Sequence, residues 1–378
     1  MEVQYTAMSK RKVLHILGRM QRAGAELRTL DIMRNLDSKE LELDYLALSG
    51  LEGELDEDIR QLGGQVYYIR MNLFSFPVKF IALLKKEKID VVHSQVRSSG
   101  YILMLARLGG IRTRVVHFRS PDHVHGESFI HHIRNMILKL LLHLNATHIL
   151  SINKSSMELI WSKNWSTDKR CHVVYDNVPP NYHIHMDQRS KLINELNLPD
   201  EALIFVHVGR FDVQKNHKRL VEIFEAIAQQ VDHAYLLVVG NYQTEHAQTV
   251  LPTIEKSAYK NRIMLLGLRT DVPEILAGCD ALIFPSLWEG MPGVVLEACA
   301  AGLPSVVSDL PGCVEIQQHI DVHILKLTDA NETWAKKCIQ VAQDANTHRE
   351  SLRQQFTQSP FNLTGNESIA ILKALWSE

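Results

Sequence analysis

Short apolar runs closed by glycine, proline or polar residues alternate along this chain with stretches whose apolar positions recur every three or four residues. In the first half the short runs fall at 12–17, 43–48, 65–69, 90–93, 114–118, 146–152 and 171–175, and each predicts a strand. Helices are predicted between them. One starts at about residue 25, with Leu27, Leu30, Met33 and Leu36 on one face, and others span 53–62, 77–88 and 98–108. Asp176-Asn177-Val178-Pro179-Pro180 and the polar residues after it interrupt the series and read as a linker. The second half restarts with strands at 203–208, 235–239, 263–266, 280–284 and 305–307. It adds a helix over 215–229 and a final helix over 367–376. Such strand–helix alternation predicts parallel, doubly wound sheets, whose ligands lie past the carboxyl ends of the strands. A chain of 378 residues exceeds one ordinary core, so the fold class expected is α/β with two Rossmann-like domains.

Residues 283–309, IFPSLWEGMPGVVLEACAAGLPSVVSD, carry the densest candidate chemistry. A strand stopped by Pro285-Ser286 leads into a loop with Gly290, Pro292 and Gly293, and a small-residue helix begins near Val294. The unfilled N–H groups and positive dipole end of such a helix suit a phosphate. Glu289 in the loop and Glu297 one turn into the helix cannot be phosphate ligands. They are placed to accept hydrogen bonds from hydroxyls of a sugar or a ribose. Spacing alone is also met by a βα turn with two surface glutamates.

EGMPGVVLEA, with its E-x7-E frame, resembles the signature of retaining glycosyltransferases of family 4, which have the GT-B fold. GRFDVQKNHKRLVEIF, 209–224, is similar to the family's second signature, and VLHILGRMQRAGAE, 13–26, to its first glycine loop. The wording of DVVHSQVRSSG and RVVHFRSPDH is nearest to the branch that builds exopolysaccharide and capsule. The resemblance implies an acceptor-binding domain over 1–178 and a nucleotide-sugar-binding domain over 179–359, facing one cleft. A C-terminal helix at about 360–378 would pack back onto the first domain. Arg210 and Lys215 would grip the diphosphate, assisted by the N–H groups around Gly293, Val294 and Val295. Glu297 would take the ribose hydroxyls, and Glu289 with Gly290, Met291, Pro292 and Gly293 would hold the donor sugar. The base would lie against the backbone of Gly267, Leu268 and Arg269, while Gly24 and Ala25 would approach from the first loop. Ala25 stands where the family has a second glycine, and no role is carried onto Gln95, where the family often shows histidine. His117, polar at a predicted strand end, is the candidate for positioning the acceptor and donor sugar, although a lone histidine there also suits a structural role. The implied reaction moves a sugar from a nucleotide diphosphate, uridine-type, to a glycan or lipid-linked acceptor with retention and without a metal or other cofactor.

The remaining features narrow the classes. A net charge of −2 gives no ground for nucleic-acid binding. Five scattered cysteines without a C-x-x-C pair suit a reducing compartment. Neither an apolar leader nor an apolar run of 18 residues occurs, so the expectation is a cytoplasmic protein, peripheral on the membrane at most. Asp56-Glu57-Asp58 has the D-x-D pattern of metal-dependent glycosyltransferases, but on a predicted helix it reads as a solvated face. His123, His125, His131, His132 and His143 resemble a metal cluster only loosely, lacking cysteines and rich carboxylate company, and no metal site is expected. The apolar stripe over 129–144 reads as a helix covering the first sheet, with membrane docking as the other option. Two rival functions share the pattern: a sugar-nucleotide epimerase of the same fold, and a non-catalytic sugar-nucleotide sensor. The identities of sugar and acceptor rest on a few contacts that no motif specifies.

Overall fold

The computed structural model describes residues 10–22, 24–36, 40–119, 129–176, 178, 182, 188–362 and 367–378, with side chains at 129–132 excluded. The chain folds as two units, Met1–Asp176 with Asn366–Glu378, and Asn177–Gly365.

The first unit is built on a seven-stranded parallel sheet in the order β3-β2-β1-β4-β5-β6-β7. Its elements run β1 (Arg11–Leu17), α1 (Gly24–Asn35), β2 (Leu41–Ala47), α2 (Asp56–Gln61), β3 (Val66–Tyr68), α3 (Ser75–Lys86) and β4 (Val91–Ser94). They continue with α4 (Ser99–Leu108), β5 (Thr113–Phe118), α5 (Phe129–Asn145), β6 (His148–Ser151), α6 (Lys154–Ile160) and β7 (Cys171–Val173). Alternate strand residues sort to opposite faces. Leu14, Ile16, Leu46, Val92, Val116 and Ile149 form one core with Phe76, Phe80, Ile102, Leu103 and Leu142 of α3, α4 and α5. Right-handed crossovers put α1 and α2 on the other face, because the strand order reverses at β1.

The second unit has six parallel strands in the order β10-β9-β8-β11-β12-β13. It runs α7 (Arg189–Leu196), β8 (Leu203–Val208), α8 (His217–Ala228), β9 (Ala234–Val239), α9 (Ala247–Lys256), β10 (Ile263–Gly267), α10 (Val272–Gly278) and β11 (Ala281–Phe284). Next come α11 (Gly293–Ala300), β12 (Ser305–Ser308), α12 (Pro311–Gln317), β13 (His323–Leu325), α13 (Asn331–Gln343) and α14 (Ala345–Gln358). The last helix, α15 (Glu367–Ser377), belongs to the first unit, where Trp376 Nε1 donates to His93 Nδ1 at 3.3 Å and Leu372 and Trp376 are buried. Both sheets are α/β and doubly wound, as expected.

Periodicity did not single out α6, α7, α9, α10, α12, α13, α14 or β13. Helices of seven residues hold fewer than two full turns, too few for a 3.6-residue period to show. In α14 only Ala345, Leu352 and Phe356 are buried within a polar sequence, which leaves a thin stripe.

Candidate functional site

The strongest constellation gathers past the carboxyl ends of β8 and β11 in the second unit. Predicted as helical, Lys215 instead closes a single 3-10 turn, Val213–Lys215. The Asp212 carboxylate accepts its N–H at 3.2 Å, and Asn216, at a left-handed φ of 54°, turns the chain into α8. Asn tolerates that conformation better than most residues. This turn is laced to the 285–289 loop across 69 to 74 residues of sequence. Leu287 N–H donates to the Gln214 carbonyl at 2.8 Å, and Gln214 Nε2 donates to the Trp288 carbonyl at 2.8 Å. Asn216 Nδ2 donates to the Pro285 carbonyl at 3.1 Å. At the centre Lys215 Nζ lies 2.6 Å from Glu289 Oε1 and 4.7 Å from the centroid of the Phe284 ring. The two paired side chains keep only 15% and 9% of their exposure, so Glu289 is more enclosed than a loop glutamate predicts. Gly209 makes room for the lysine stem, since a Cβ there would stand 3.0 Å from Lys215 Cδ.

Arg210, by contrast, keeps 70% of its side chain exposed beside Asp212 at 3.4 Å. The glycine loop after Glu289 is set by a close backbone approach: a Cβ on Gly312 would fall 2.2 Å from the Gly290 carbonyl oxygen. Ser308 Oγ donates to the Ser286 carbonyl at 2.6 Å and fixes the loop's start. Pro292 precedes α11, which begins at Gly293, and Met291 is buried beneath the turn. Val294 and Val295 occupy its first turn, and Glu297 follows at partial exposure. Gly267 ends β10 at φ 69° and its carbonyl accepts the Gly240 N–H at 2.9 Å, with Leu268 exposed beyond it. The Arg269 side chain is committed elsewhere, to Asp271 and Glu195, each at 2.6 Å.

Behind this turn lie His207 and His217, both buried, with ring centroids 5.0 Å apart. His207 Nδ1 bonds the Ile283 carbonyl at 2.9 Å, and His217 stacks on Phe211 at 4.0 Å. Burial pushes His207 down to about 4 against the raising effect of that carbonyl, with the Lys215 charge adding to the push. It pushes His217 to about 2, helped by His207, His246 and Lys215.

In the first unit Gly24 opens α1, and the Ala25 carbonyl accepts from Thr29 Oγ1 at 2.8 Å and from Arg119 Nη2 at 3.1 Å. Arg119 also pairs with Asp176 at 2.5 Å, joining the first loop, the end of β5 and the end of β7's extension. His117 is buried at the end of β5 and belongs to a row: His93 lies 5.4 Å from it, and His15 lies 4.7 Å from His93. Gln95 Nε2 donates to His15 Nδ1 at 3.2 Å. Burial, then the charge of Arg119, pushes His15 to about 3, and burial holds His93 and His117 well below the ordinary histidine value.

Sequence reasoning missed Gln214, Asn216, Gly312 and His15 as parts of these arrangements, whereas His93 stands out in the sequence, like His117, as a polar residue at a predicted strand end. Polar residues inside or directly after apolar runs were the only signal for the histidines. The acidic triplet corrects an expectation: Asp56 is buried, not solvated. Its Oδ2 accepts from Gly53 N–H at 2.8 Å and Tyr68 OH at 2.6 Å, bracing a loop in which Gly53 lies against the Met20 carbonyl. Asp58 pairs with Arg22 at 3.0 Å. His123 and His125, the side chains of His131 and His132, and Ser120 lie outside the described residues.

Comparison with known proteins joins this geometry to a class. A model described as Glycosyltransferase Family 4 matches residues 22–181, and one described as Glycosyl transferases group 1 matches residues 202–344. The capsular polysaccharide biosynthesis glycosyltransferase CapH of Staphylococcus aureus is 33% identical over 328 residues, 86% of this chain and 88% of CapH. The UDP-Gal:alpha-D-GlcNAc-diphosphoundecaprenol alpha-1,3-galactosyltransferase of Escherichia coli is 26% identical over 369 residues, 89% of each chain. Among solved structures, Anabaena HepE in complex with UDP and glucose matches with a TM-score of 0.80 at 18% identity, covering 97% of this chain and 100% of HepE. The two-sheet architecture is the GT-B fold of glycosyltransferases. Within that class the chain belongs to glycosyltransferase family 4, as the motifs at 13–26, 209–224 and 289–298 implied.

Proposed function

We propose that this glycosyltransferase moves a hexose from a uridine diphosphate sugar to a lipid-linked or growing glycan acceptor, with retention, at the cytoplasmic face of the membrane. Capsule or exopolysaccharide synthesis is the setting favoured by its kinship with CapH. The observation that carries the reading is the Lys215–Glu289 pair, held by the Gln214 and Asn216 bonds beside the start of α11.

Breaking the anomeric C–O bond leaves negative charge on the diphosphate, and stabilising it is the main electrostatic task. Lys215 supplies a fixed point charge, Arg210 an exposed fork able to swing onto phosphate, and the N–H groups of Gly293, Val294 and Val295 a helix terminus. Glu289 holds the ammonium in place before the donor arrives and stands ready to accept from sugar hydroxyls, while Glu297 takes the ribose. Gly267, Leu268 and Arg269 offer backbone to the base, and Gly24, Ala25 and His117 serve the sugar and acceptor from the first unit. The departing phosphate oxygen takes the acceptor's proton, so no carboxylate nucleophile of the glycosidase kind is needed. These cations make a metal unnecessary.

A panel of labelled nucleotide sugars, incubated with the protein and membrane extracts of its source, tests this reading. Transfer from one UDP-sugar into the lipid fraction, with the anomeric configuration kept and chelator tolerated, is expected. Conversion of a donor alone into a second sugar nucleotide would overturn it.

A further inference from the structure

The first unit is unlike on its two faces. Helices α3, α4 and α5, side by side on one face, are 12, 10 and 17 residues long and contain no Asp or Glu. They carry Lys79, Lys85, Lys86, Arg107, Arg134 and Lys139, all exposed. On the other face α1 and α2 hold Glu26, Asp31, Asp56, Glu57 and Asp58 against Arg28, Arg34 and Arg60. The cationic face is also the apolar one. Phe74 at the start of α3 is 90% exposed, Leu108 at the end of α4 69%, and Met136, Leu140 and Leu144 on α5 61%, 57% and 58%. Leu142 of α5 faces the core, so α5 both covers the sheet and presents a second apolar stripe outward. Beside that stripe opens a cavity of about 500 Å³ whose lining includes Met136, Leu140, Lys139, Trp161, Trp165 and Asp168. No helix among the described residues is long and apolar enough to cross a membrane.

We propose that the α3–α4–α5 face is a docking surface for an anionic lipid bilayer, with α5 lying in the headgroup boundary and the Trp161–Trp165 cavity receiving lipid chain. Exposed apolar side chains among cations, on three helices that carry no acid, match a surface that is apolar below and negative above; the nearby Glu87 and Asp168 are paired with Lys86 at 3.1 Å and Arg170 at 2.8 Å. Tryptophan, apolar with one polar N–H, suits that boundary. A second copy of this chain fits poorly, because a two-fold contact through this face sets cations against cations with no carboxylate on these helices to answer them. A helix of 17 residues spans about 25 Å. It starts at the carboxyl edge of the sheet, where ligands of such sheets bind, so docking carries that edge along the bilayer. The proposal deepens the lipid-linked-acceptor reading by giving the surface through which the enzyme meets that lipid.

The test is sedimentation of the full chain with phosphatidylcholine vesicles, with or without about a third phosphatidylglycerol, in low and high salt. Binding to the anionic vesicles, weakened by salt, is expected. Arg134→Glu with Lys139→Glu should weaken it by about tenfold or more, and Met136→Asp with Leu140→Asp should abolish it. Melting temperature and its rise with UDP, read on the same proteins, should not change. Wild-type protein left in the supernatant, equal binding of the variants, or a dimer in solution that Leu140→Asp splits would each overturn the proposal. Because the vesicle assay holds neither donor nor acceptor, its failure leaves the transferase reading standing, and failed transfer with intact docking sinks only that reading.

Discussion

Lys215 and Glu289 are one unit rather than two independent residues. Each is largely enclosed, and each is the other's counter-charge at 2.6 Å. Lys215→Ala removes a charge that gains importance as the diphosphate departs, so turnover should fall by about 2–4 kcal/mol, on the order of a hundredfold. Glu289→Gln should also lower kcat, through loss of the lysine's anchor as well as of its own carboxylate. The double variant should cost clearly less than the sum, because groups in direct contact do not act additively. Steady-state kinetics on the cycle decide it, and strict additivity would show that the pair has no functional coupling. Glu297, outside that pair, should behave differently: Glu297→Gln is expected to raise the donor KM by about 1–2 kcal/mol with little change in kcat.

At the scale of elements, the glycine loop depends on a helix that follows it. Gly312 in α12 lies so near the Gly290 carbonyl that Gly312→Ala must push the 290–293 turn away from α12. Destabilisation of about 1–3 kcal/mol is expected, with a larger loss in donor affinity than Glu297→Gln causes. Calorimetric titration with UDP alongside a melt checks both parts, and unchanged UDP affinity would free the loop from this dependence. The E-x7-E frame made the turn and the start of α11 legible, since glycine, proline and small residues leave few backbone choices. Its support from Gly312, Gln214 and Asn216 was not legible, because those contacts join distant segments and follow no local period.

For the whole molecule, the buried histidines make stability pH-dependent. His15, His207 and His217 have folded pKa values of about 3, about 4 and about 2, with His93 and His117 also lowered. The unfolded value is about 6.5, so the unfolded chain binds more protons below it. Stability is complete above about pH 6.5 and falls as pH drops toward the folded values, by about 1.4 kcal/mol per pH unit for each such histidine. Asp31 and Asp44, raised by burial, oppose this only near the carboxylate range. Melting curves should therefore shift down between about pH 7 and 5, and a flat profile would show the histidines solvated. The return of α15 adds a second test. Trp376 is fully buried against His15 and His93, and Trp376→Ala should cost about 3–5 kcal/mol in the first unit's melt.

Local sequence was enough for the α/β class, the parallel strands of both sheets up to β12, the strand exit at Gly209-Arg210 and the turn at 289–297. Each is encoded locally, by apolar run length and by glycine or proline. Only tertiary structure decided that Lys215 faces Glu289, that Asp56 is buried, and that the outer stripe of α5 stays exposed. Those outcomes depend on which segments meet in space: a lysine cannot signal its partner 74 residues away, and an apolar helix does not state how many of its faces find a neighbour.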